Sequence, residues 1–213
     1  MLALLHTSPL HIPVFDALRD EDHPGLELRH LVAPELLARA RREGPEAVAG
    51  DVTAALRRAA ANAGVRAVLC TCSTIGEVAE RAVGEVAVPV VRGDRPMAAA
   101  AVAAGPRVTV LATVESTLAP TLALIEDEAR RANRPVRARA QVVPDAWTRF
   151  EAGDIEGCAR LVATTADTVT DTDVIVLAQA SMTAATNLTT TTVPILSSPR
   201  PGLAAAAKAA RTA

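Results

Sequence analysis

The sequence predicts an α/β protein of two pseudo-symmetric domains, each a four-stranded, mostly parallel sheet flanked by helices. Short runs rich in Val, Leu and Ile alternate with longer Ala-rich stretches, which is typical of parallel strands covered by helices on both faces. In addition, three segments of the first half recur in the same order in the second half, displaced by roughly 106 residues. We therefore expect equivalent strand ends to converge on an active site between the two domains.

The repeat aligns Cys72 of the first half with Gln179 of the second. One half thus carries a thiol where the other carries an amide. The aligned pairs of segments are residues 4–8 with 110–114, 68–74 with 175–181, and 88–91 with 193–196.

Each domain is expected to contain four strands. The apolar runs that predict them are residues 2–6, 26–31, 67–70 and 88–91, then 108–112, 136–143, 174–177 and 193–196. Ala-rich stretches between them predict helices over residues 34–43, 45–63, 77–83, 97–104, 118–133, 145–170 and 203–213. Gly44 and Gly153 are expected to divide two helical stretches into pairs of helices, and the threonine run 189–192 predicts a loop.

Residues 94–96 read as the crossover from the first domain to the second, and residues 199–202 lead the last helix back. The expected domains are therefore 1–94 plus 199–213, and 95–198. Both lie near the lower end of the usual range of about 50 to 200 residues per domain.

Charge and composition favour a small-molecule partner. The net charge is −2, Arg residues are interspersed with Asp and Glu, and aromatic residues make up only 1% of the chain. A basic field and stacking rings are therefore both missing, which argues against nucleic acid. No apolar run is long enough for a membrane span. We keep a homo-oligomer open, because the Ala-rich helices could pack against another copy.

The cysteine count indicates a reducing compartment. Three cysteines in a chain without an export signal favour a cytoplasmic location and free thiols. No glycine-rich nucleotide motif is present, and Cys70 with Cys72 makes a poor zinc site without nearby histidines. We therefore expect neither a metal nor a cofactor.

Polar side chains follow four of the predicted strands. Together with backbone N–H groups at strand-to-helix junctions, they could bind a carboxylate, although each could instead merely cap a helix. The candidate substrate-binding residues are Thr7, Ser8, Ser73, Thr74, Thr113, Ser116, Thr117, Gln179 and Ser181.

Cys72 is the candidate catalytic residue. It follows an apolar strand and precedes a predicted helix start, where unpaired N–H groups are expected to lower its pKa below about 8.5. The alternative is a buried structural thiol, which suits Cys70 and Cys158 better because both lie within apolar patterns. His6 and His11 flank the first strand end and could supply a second acid or base, or serve as surface or capping residues. His23 and His30 read as surface or edge residues.

In these segments the sequence resembles the aspartate/glutamate/hydantoin racemase superfamily, over nearly the whole chain. Cys72-Ser73-Thr74 stands where members carry Cys-Asn-Thr, and residues 92–97, 111–121 and 175–182 support the likeness. The resemblance implies a pair of cysteines, one from each domain, that move a proton on opposite sides of the substrate's α-carbon without a cofactor. Cys72 matches the first cysteine.

Two positions depart from the family pattern. Gln179 occupies the position of the family's second cysteine, and Ser181 occupies the position of the histidine that often follows that cysteine. A glutamine side chain cannot transfer a proton near neutral pH. The resemblance therefore implies a racemase-like isomerase with one catalytic thiol, which acts next to the carboxylate of a small acid or amino acid. Gln179 is then expected to form a hydrogen bond to the developing enolate. A single-cysteine decarboxylase or lyase, and a non-catalytic carboxylate-binding protein, remain alternatives.

Overall fold

The computed structural model describes all 213 residues. The chain forms two compact units: unit 1 comprises Met1–Asp94 with Pro199–Ala213, and unit 2 comprises Arg95–Ser198. Each unit contains one four-stranded sheet in which every neighbouring pair is parallel, flanked by helices. The predicted α/β class with two four-stranded sheets is confirmed.

The two sheets have the same strand order, β2-β1-β3-β4 in unit 1 and β6-β5-β7-β8 in unit 2. The strands are β1 Leu2–His6, β2 Leu28–Val32, β3 Ala67–Cys70, β4 Val90–Arg92, β5 Arg107–Ala112, β6 Arg137–Val142, β7 Val174–Leu177 and β8 Ile195–Ser197. The helices are α1 Ile12–Asp22, α2 Pro34–Glu43, α3 Ala49–Ala60, α4 Gly76–Arg81, α5 Arg95–Ala104, α6 Leu118–Ala132, α7 Ala146–Glu151, α8 Ile155–Asp167 and α9 Pro199–Thr212.

Helices cover both faces of each sheet, which is why the central strands are mostly apolar. In unit 1, α1 and α9 pack on the face that carries Leu4 and Leu69, whereas α2, α3 and α4 pack on the face that carries Leu5 and Val68. In unit 2, α5 and α6 cover one face, and α7 and α8 cover the other. Alternate residues of a strand therefore point to different helix layers.

Several predicted elements differ in extent, and α1 was not predicted. Gly153, with φ 81, separates α7 from α8 as expected. Residues 45–63 form a 3-10 turn, Pro45–Val48, and then α3. The last helix already begins at Pro199, because proline is tolerated in a first helical turn. The threonine run 189–192 is a loop, as predicted.

Gly202, in the first turn of α9, is required by a close approach of two backbones. A Cβ at this position would lie 2.5 Å from the carbonyl oxygen of Gly93, which directly follows β4. Any larger residue would push α9 away from its own sheet. Across the whole chain, no helix has the combination of length and apolar character that a bilayer crossing needs.

Candidate active site

The polar residues predicted for unit 1 lie at the carboxyl ends of two adjacent strands. Leu5 of β1 is paired with Cys70 of β3, and Thr71 N–H donates to the Leu5 carbonyl just beyond the ladder. Two residues further along each chain, Thr7 and Cys72 are therefore neighbours. The side-chain hydroxyl of Thr7 is hydrogen-bonded to the Cys72 thiol.

Three donors point at the sulfur of Cys72: the Thr7 hydroxyl and the backbone N–H groups of Thr74 and Ile75. Each of them stabilises the thiolate and lowers the thiol pKa. Burial acts more strongly in the other direction, and the carboxylate of Asp94 adds to it, so the pKa of Cys72 is raised above its ordinary value. The expectation of a lowered pKa was wrong. The predicted N–H groups are present, but the loss of water around the sulfur outweighs them.

Cys70 and Cys158 are structural thiols in the cores of the two units, as their apolar patterns predicted. The Cys70 thiol donates to the carbonyl oxygen of Cys72 at 3.8 Å. Burial raises the pKa of Cys70 to about 12 and that of Cys158 to about 11. Neither is placed to ionise near neutral pH.

A buried ion pair lies near the thiol and was not singled out as functional in the sequence. Arg92 Nε donates to Asp94 Oδ1 at 2.7 Å, and the two side chains are only 3% and 2% exposed. Gly76, at the start of α4, packs directly on Arg92, since a Cβ there would lie 2.9 Å from Nε. The pair thus fixes the segment after β4 against the helix that follows Cys72.

In unit 2 the equivalent strand ends carry Thr113 and Gln179. Gln179 Oε1 accepts two hydrogen bonds, from Thr113 N–H at 2.6 Å and from the Thr113 hydroxyl at 3.0 Å. Because both partners are donors, they identify the oxygen of the amide and turn its NH₂ group the other way. Gln179 therefore presents hydrogen-bond donors and no group that could accept a proton.

Two serine hydroxyls of unit 2 are buried without a hydrogen-bond partner in the protein. They belong to Ser116, in the turn before α6, and to Ser181, which is 6% exposed in the 3-10 turn after β7. Thr117 is buried beside Ser116, where its carbonyl accepts from the Thr121 hydroxyl. A buried hydroxyl with an unused donor suits a ligand oxygen.

The unit 1 hydroxyls divide between two environments. Ser8 accepts from Leu10 N–H at 3.3 Å, so the capping alternative describes this residue. Ser73 and Thr74 are buried next to Cys72.

His6 does not fit the expected second acid or base. It is fully buried, and both ring nitrogens are engaged: Nδ1 lies 2.9 Å from Thr71 Oγ1, and Nε2 lies 2.8 Å from Nδ1 of His30. Burial, together with His30 and His11, lowers the pKa of His6 to about 3. The residue is neutral and has no free nitrogen for a substrate.

His11 and His30 also differ from a surface setting. His11 is buried, and burial lowers its pKa to about 4. His30 lies on β2, an edge strand as expected, yet its side chain is only 14% exposed and bridges His6 and Asp16. No local pattern around residue 30 signals this bridge, because its partners come from other elements.

The fold is similar to that of several racemases of known structure. Glutamate racemase isoform RacE1 from Bacillus anthracis is 17% identical, with a TM-score of 0.76 over 100% of this chain and 82% of that one. Aspartate racemase from Picrophilus torridus is 14% identical, with a TM-score of 0.69 over 99% and 94%. Allantoin racemase from Pseudomonas fluorescens is 19% identical, with a TM-score of 0.57 over 100% and 92%.

Comparison with curated protein sequences gave no significant match. The sequence model of the Asp/Glu/Hydantoin racemase family, by contrast, matches residues 13–209. That match spans most of both units, from α1 to α9. The chain therefore belongs to the Asp/Glu/hydantoin racemase family, as its sequence resemblance indicated.

Proposed function

We propose that this chain is a cofactor-independent, racemase-like isomerase that moves a proton at a carbon next to a carboxylate, with Cys72 as the acid and base. The observation that carries the proposal is the set of three donors on the Cys72 sulfur, from Thr7, Thr74 and Ile75. A structural thiol in an apolar core needs no such donors, as the setting of Cys158 illustrates. Donors around a sulfur favour a thiolate that forms during turnover.

In the forward step the Cys72 thiolate takes the proton from the α-carbon, and the electron pair of the broken C–H bond moves into the carboxylate as an enediolate. In the return step the thiol gives a proton back to that carbon. Because the free protein holds the neutral thiol, ionisation requires a proton to leave Cys72 first. The three donors reduce the cost of that ionisation.

Unit 2 carries, at its own strand ends, groups that suit a carboxylate. Ser116 and Ser181 offer hydroxyls that nothing in the protein uses, and the NH₂ group of Gln179 is turned away from Thr113. Hydrogen bonds to the substrate oxygens strengthen as negative charge develops on them. The ligand class is thus a small carboxylate or amino acid.

A second candidate, a decarboxylase or lyase, is favoured by the orientation of Gln179. Its oxygen is bound to Thr113, so position 179 cannot exchange a proton. A reaction that generates the enediolate by breaking a C–C or C–N bond needs only one proton donor, and the neutral thiol of Cys72 is such a donor. The two candidates share the enediolate and differ in the bond that is broken.

The test is hydrogen exchange in heavy water. The protein is incubated with amino acids, hydantoins and malonates, and loss of the α-proton and formation of product are followed by NMR. We expect deuterium at the α-carbon or a new product, and a decrease of more than about a hundredfold in Cys72→Ala. Cys158→Ala is the matched control, since it removes a thiol that lies in the core of unit 2.

Exchange without product identifies proton transfer, and loss of CO₂ or of an amine identifies the second candidate. Equal turnover in Cys72→Ala and the parent protein would remove Cys72 from the mechanism. If no compound reacts while carboxylates still shift the protein resonances, the chain is a carboxylate-binding protein and the enzymatic proposal is wrong.

A further inference from the structure

A chain of hydrogen-bonding side chains extends from partly exposed Asp16 to the carbonyl of Leu5 through three elements of unit 1. Asp16 Oδ1 lies 3.3 Å from His30 Nε2, and His30 Nδ1 lies 2.8 Å from His6 Nε2. His6 Nδ1 lies 2.9 Å from Thr71 Oγ1, which in turn lies 3.1 Å from the Leu5 carbonyl oxygen. Every contact joins groups that can share one hydrogen.

Only two distributions of hydrogens satisfy the histidine contacts while Asp16 is ionised and His6 is neutral. In the first, Thr71 donates to Leu5, His6 Nδ1–H donates to Thr71, and His30 donates from both nitrogens and is positively charged. In the second, Thr71 donates to His6, His6 Nε2–H donates to His30, and His30 is neutral. The two differ by one proton and by the direction of each internal bond.

The heavy-atom positions accommodate both distributions, because Thr71 Oγ1 lies 2.9 Å from His6 Nδ1 and 3.1 Å from the Leu5 carbonyl oxygen. The first distribution places a charge on His30 next to the Asp16 carboxylate. Arg19 Nη2 also lies 3.5 Å from Asp16 Oδ1, and His11 is a further titratable group near His6. In a third arrangement the rings of both His6 and His30 would be charged. The low pKa of His6 excludes that arrangement near neutral pH.

The last pair of residues in this series of hydrogen-bonded side chains, His6 and Thr71, immediately precedes Thr7 and the candidate catalytic thiol of Cys72. His6 and Thr71 form one cross-strand pair on the face covered by α1, where the His6 ring contacts Phe15. The next pair, just beyond the ends of β1 and β3, is Thr7 with Cys72. Because the two pairs are consecutive along both segments, a change in the separation of the first pair is expected to change that of the second.

We propose that Asp16, His30 and His6 form a protonation-controlled lock on Thr71, and that the lock positions the Thr7 hydroxyl on the Cys72 sulfur. Gain of a proton by His30 closes the lock, because Thr71 then bonds to Leu5. Loss of that proton turns Thr71 towards His6 and releases the strand ends. His30 is in this view a positioning residue. The effect of the lock on function rests on the proposed role of Cys72, whereas the existence of the lock does not.

The first readout is the tautomer of His6, followed by NMR of ¹⁵N-labelled histidine rings as pH is varied. We expect the hydrogen on His6 to move from Nδ1 to Nε2 at the same pH at which His30 loses a proton. In Asp16→Asn this transition is expected to move to lower pH, since the charge that favours protonated His30 is gone. Asp16 is 40% exposed, so this substitution preserves the fold.

The second readout is the alkylation rate of Cys72 by iodoacetamide, measured by peptide mapping. The rate follows thiol ionisation with pH, and we expect a downward step of about threefold where the lock opens, equal to half a pKa unit of thiol stabilisation. The step is expected to move with the transition in Asp16→Asn, to return in Asp16→Glu and to vanish in Thr7→Val. Asp20→Asn, on the same helix and also paired with Arg19, is the matched control.

A His6 ring that keeps one tautomer while His30 titrates would overturn the lock. A tautomer change without any step in Cys72 alkylation would overturn the positioning role. Both readouts are free of substrate, so they stand or fall separately from the heavy-water experiment on turnover.

Discussion

Thr113 donates both its backbone N–H and its hydroxyl to the side-chain oxygen of Gln179, at the place in unit 2 that corresponds to Thr7 and Cys72 in unit 1. Both units thus contain the same donor at the end of the second strand in the sheet. The acceptor differs: it is a sulfur that can ionise in unit 1 and an amide oxygen in unit 2. The asymmetry of the proposed chemistry lies in this one difference.

Replacement of Thr7 by valine is expected to make Cys72 less reactive. The hydroxyl lowers the thiol pKa, and a hydrogen bond to a charged group contributes about 1.5 to 3 kcal/mol, part of which water can replace. We expect iodoacetamide to modify Cys72 about tenfold more slowly at pH 8. Thr113→Val removes the equivalent hydroxyl of unit 2 and should leave this rate unchanged. A faster reaction in Thr7→Val would show that hydration, and not the hydroxyl, controls the thiol.

Gln179→Cys is expected to change the stereochemical outcome of the reaction. The amide at 179 cannot transfer a proton, whereas a thiol can, and two thiols are what the family resemblance associates with racemisation. Chiral chromatography of a single enantiomer after incubation should show racemate in Gln179→Cys at a higher rate than in the parent protein. Gln179→Met, which keeps the size and loses the donor, should lower turnover by about tenfold or more. Identical product configuration in all three proteins would contradict this role.

Acid is expected to destabilise unit 1 through its buried histidines. The pKa of His6 is about 3 and that of His11 about 4 in the folded chain, against about 6.5 when unfolded. Below pH 6.5 the unfolded chain therefore binds protons that the folded chain does not, and stability falls as pH falls towards these values. Each histidine costs about 1.4 kcal/mol per pH unit within that window. Urea unfolding at pH 7 and pH 5 measures the loss, which His6→Asn should reduce.

Two glycine substitutions are expected to have opposite effects. Gly202→Ala places a Cβ against the Gly93 carbonyl and should lower the free energy of unfolding by about 1 to 3 kcal/mol. Gly50→Ala, at an open position of α3, should raise it by about 0.5 to 1 kcal/mol. Thermal and urea unfolding of both variants provide the comparison. Equal effects would show that α9 can shift without cost.

Three of the four central strands were predicted residue for residue, because burial on both faces leaves a nearly continuous apolar run, and β5 begins one residue earlier than predicted. The observed β1, β3 and β7 have the predicted bounds. The edge strands β4 and β8 begin later than predicted, after Pro89 and Pro194, since proline has no N–H to donate to a ladder. Helix α1 was missed because only Phe15 and Leu18 of its residues are buried, too few for a periodic apolar stripe.

The sequence placed the candidate residues at the correct strand ends, but it could not predict their partners. The contact of His6 with His30 joins residues that are 24 positions apart, and no local pattern encodes it. The direction in which the pKa of Cys72 shifts could not be predicted either, because it depends on how much water the folded chain removes from around the sulfur. Local donors can be read from a strand-to-helix junction, whereas desolvation is a property of the assembled core.

Helix α9 has a consequence for the order in which the chain folds. Its residues Leu203 and Ala206 fill the core against Leu4 and Leu69, so one face of the first sheet is covered by α1 alone until α9 has been synthesised. All residues of unit 2 precede α9 in the chain, so unit 1 cannot complete its core until they have been synthesised. Until α9 docks, the first sheet exposes apolar surface, and that interval carries the greatest aggregation risk.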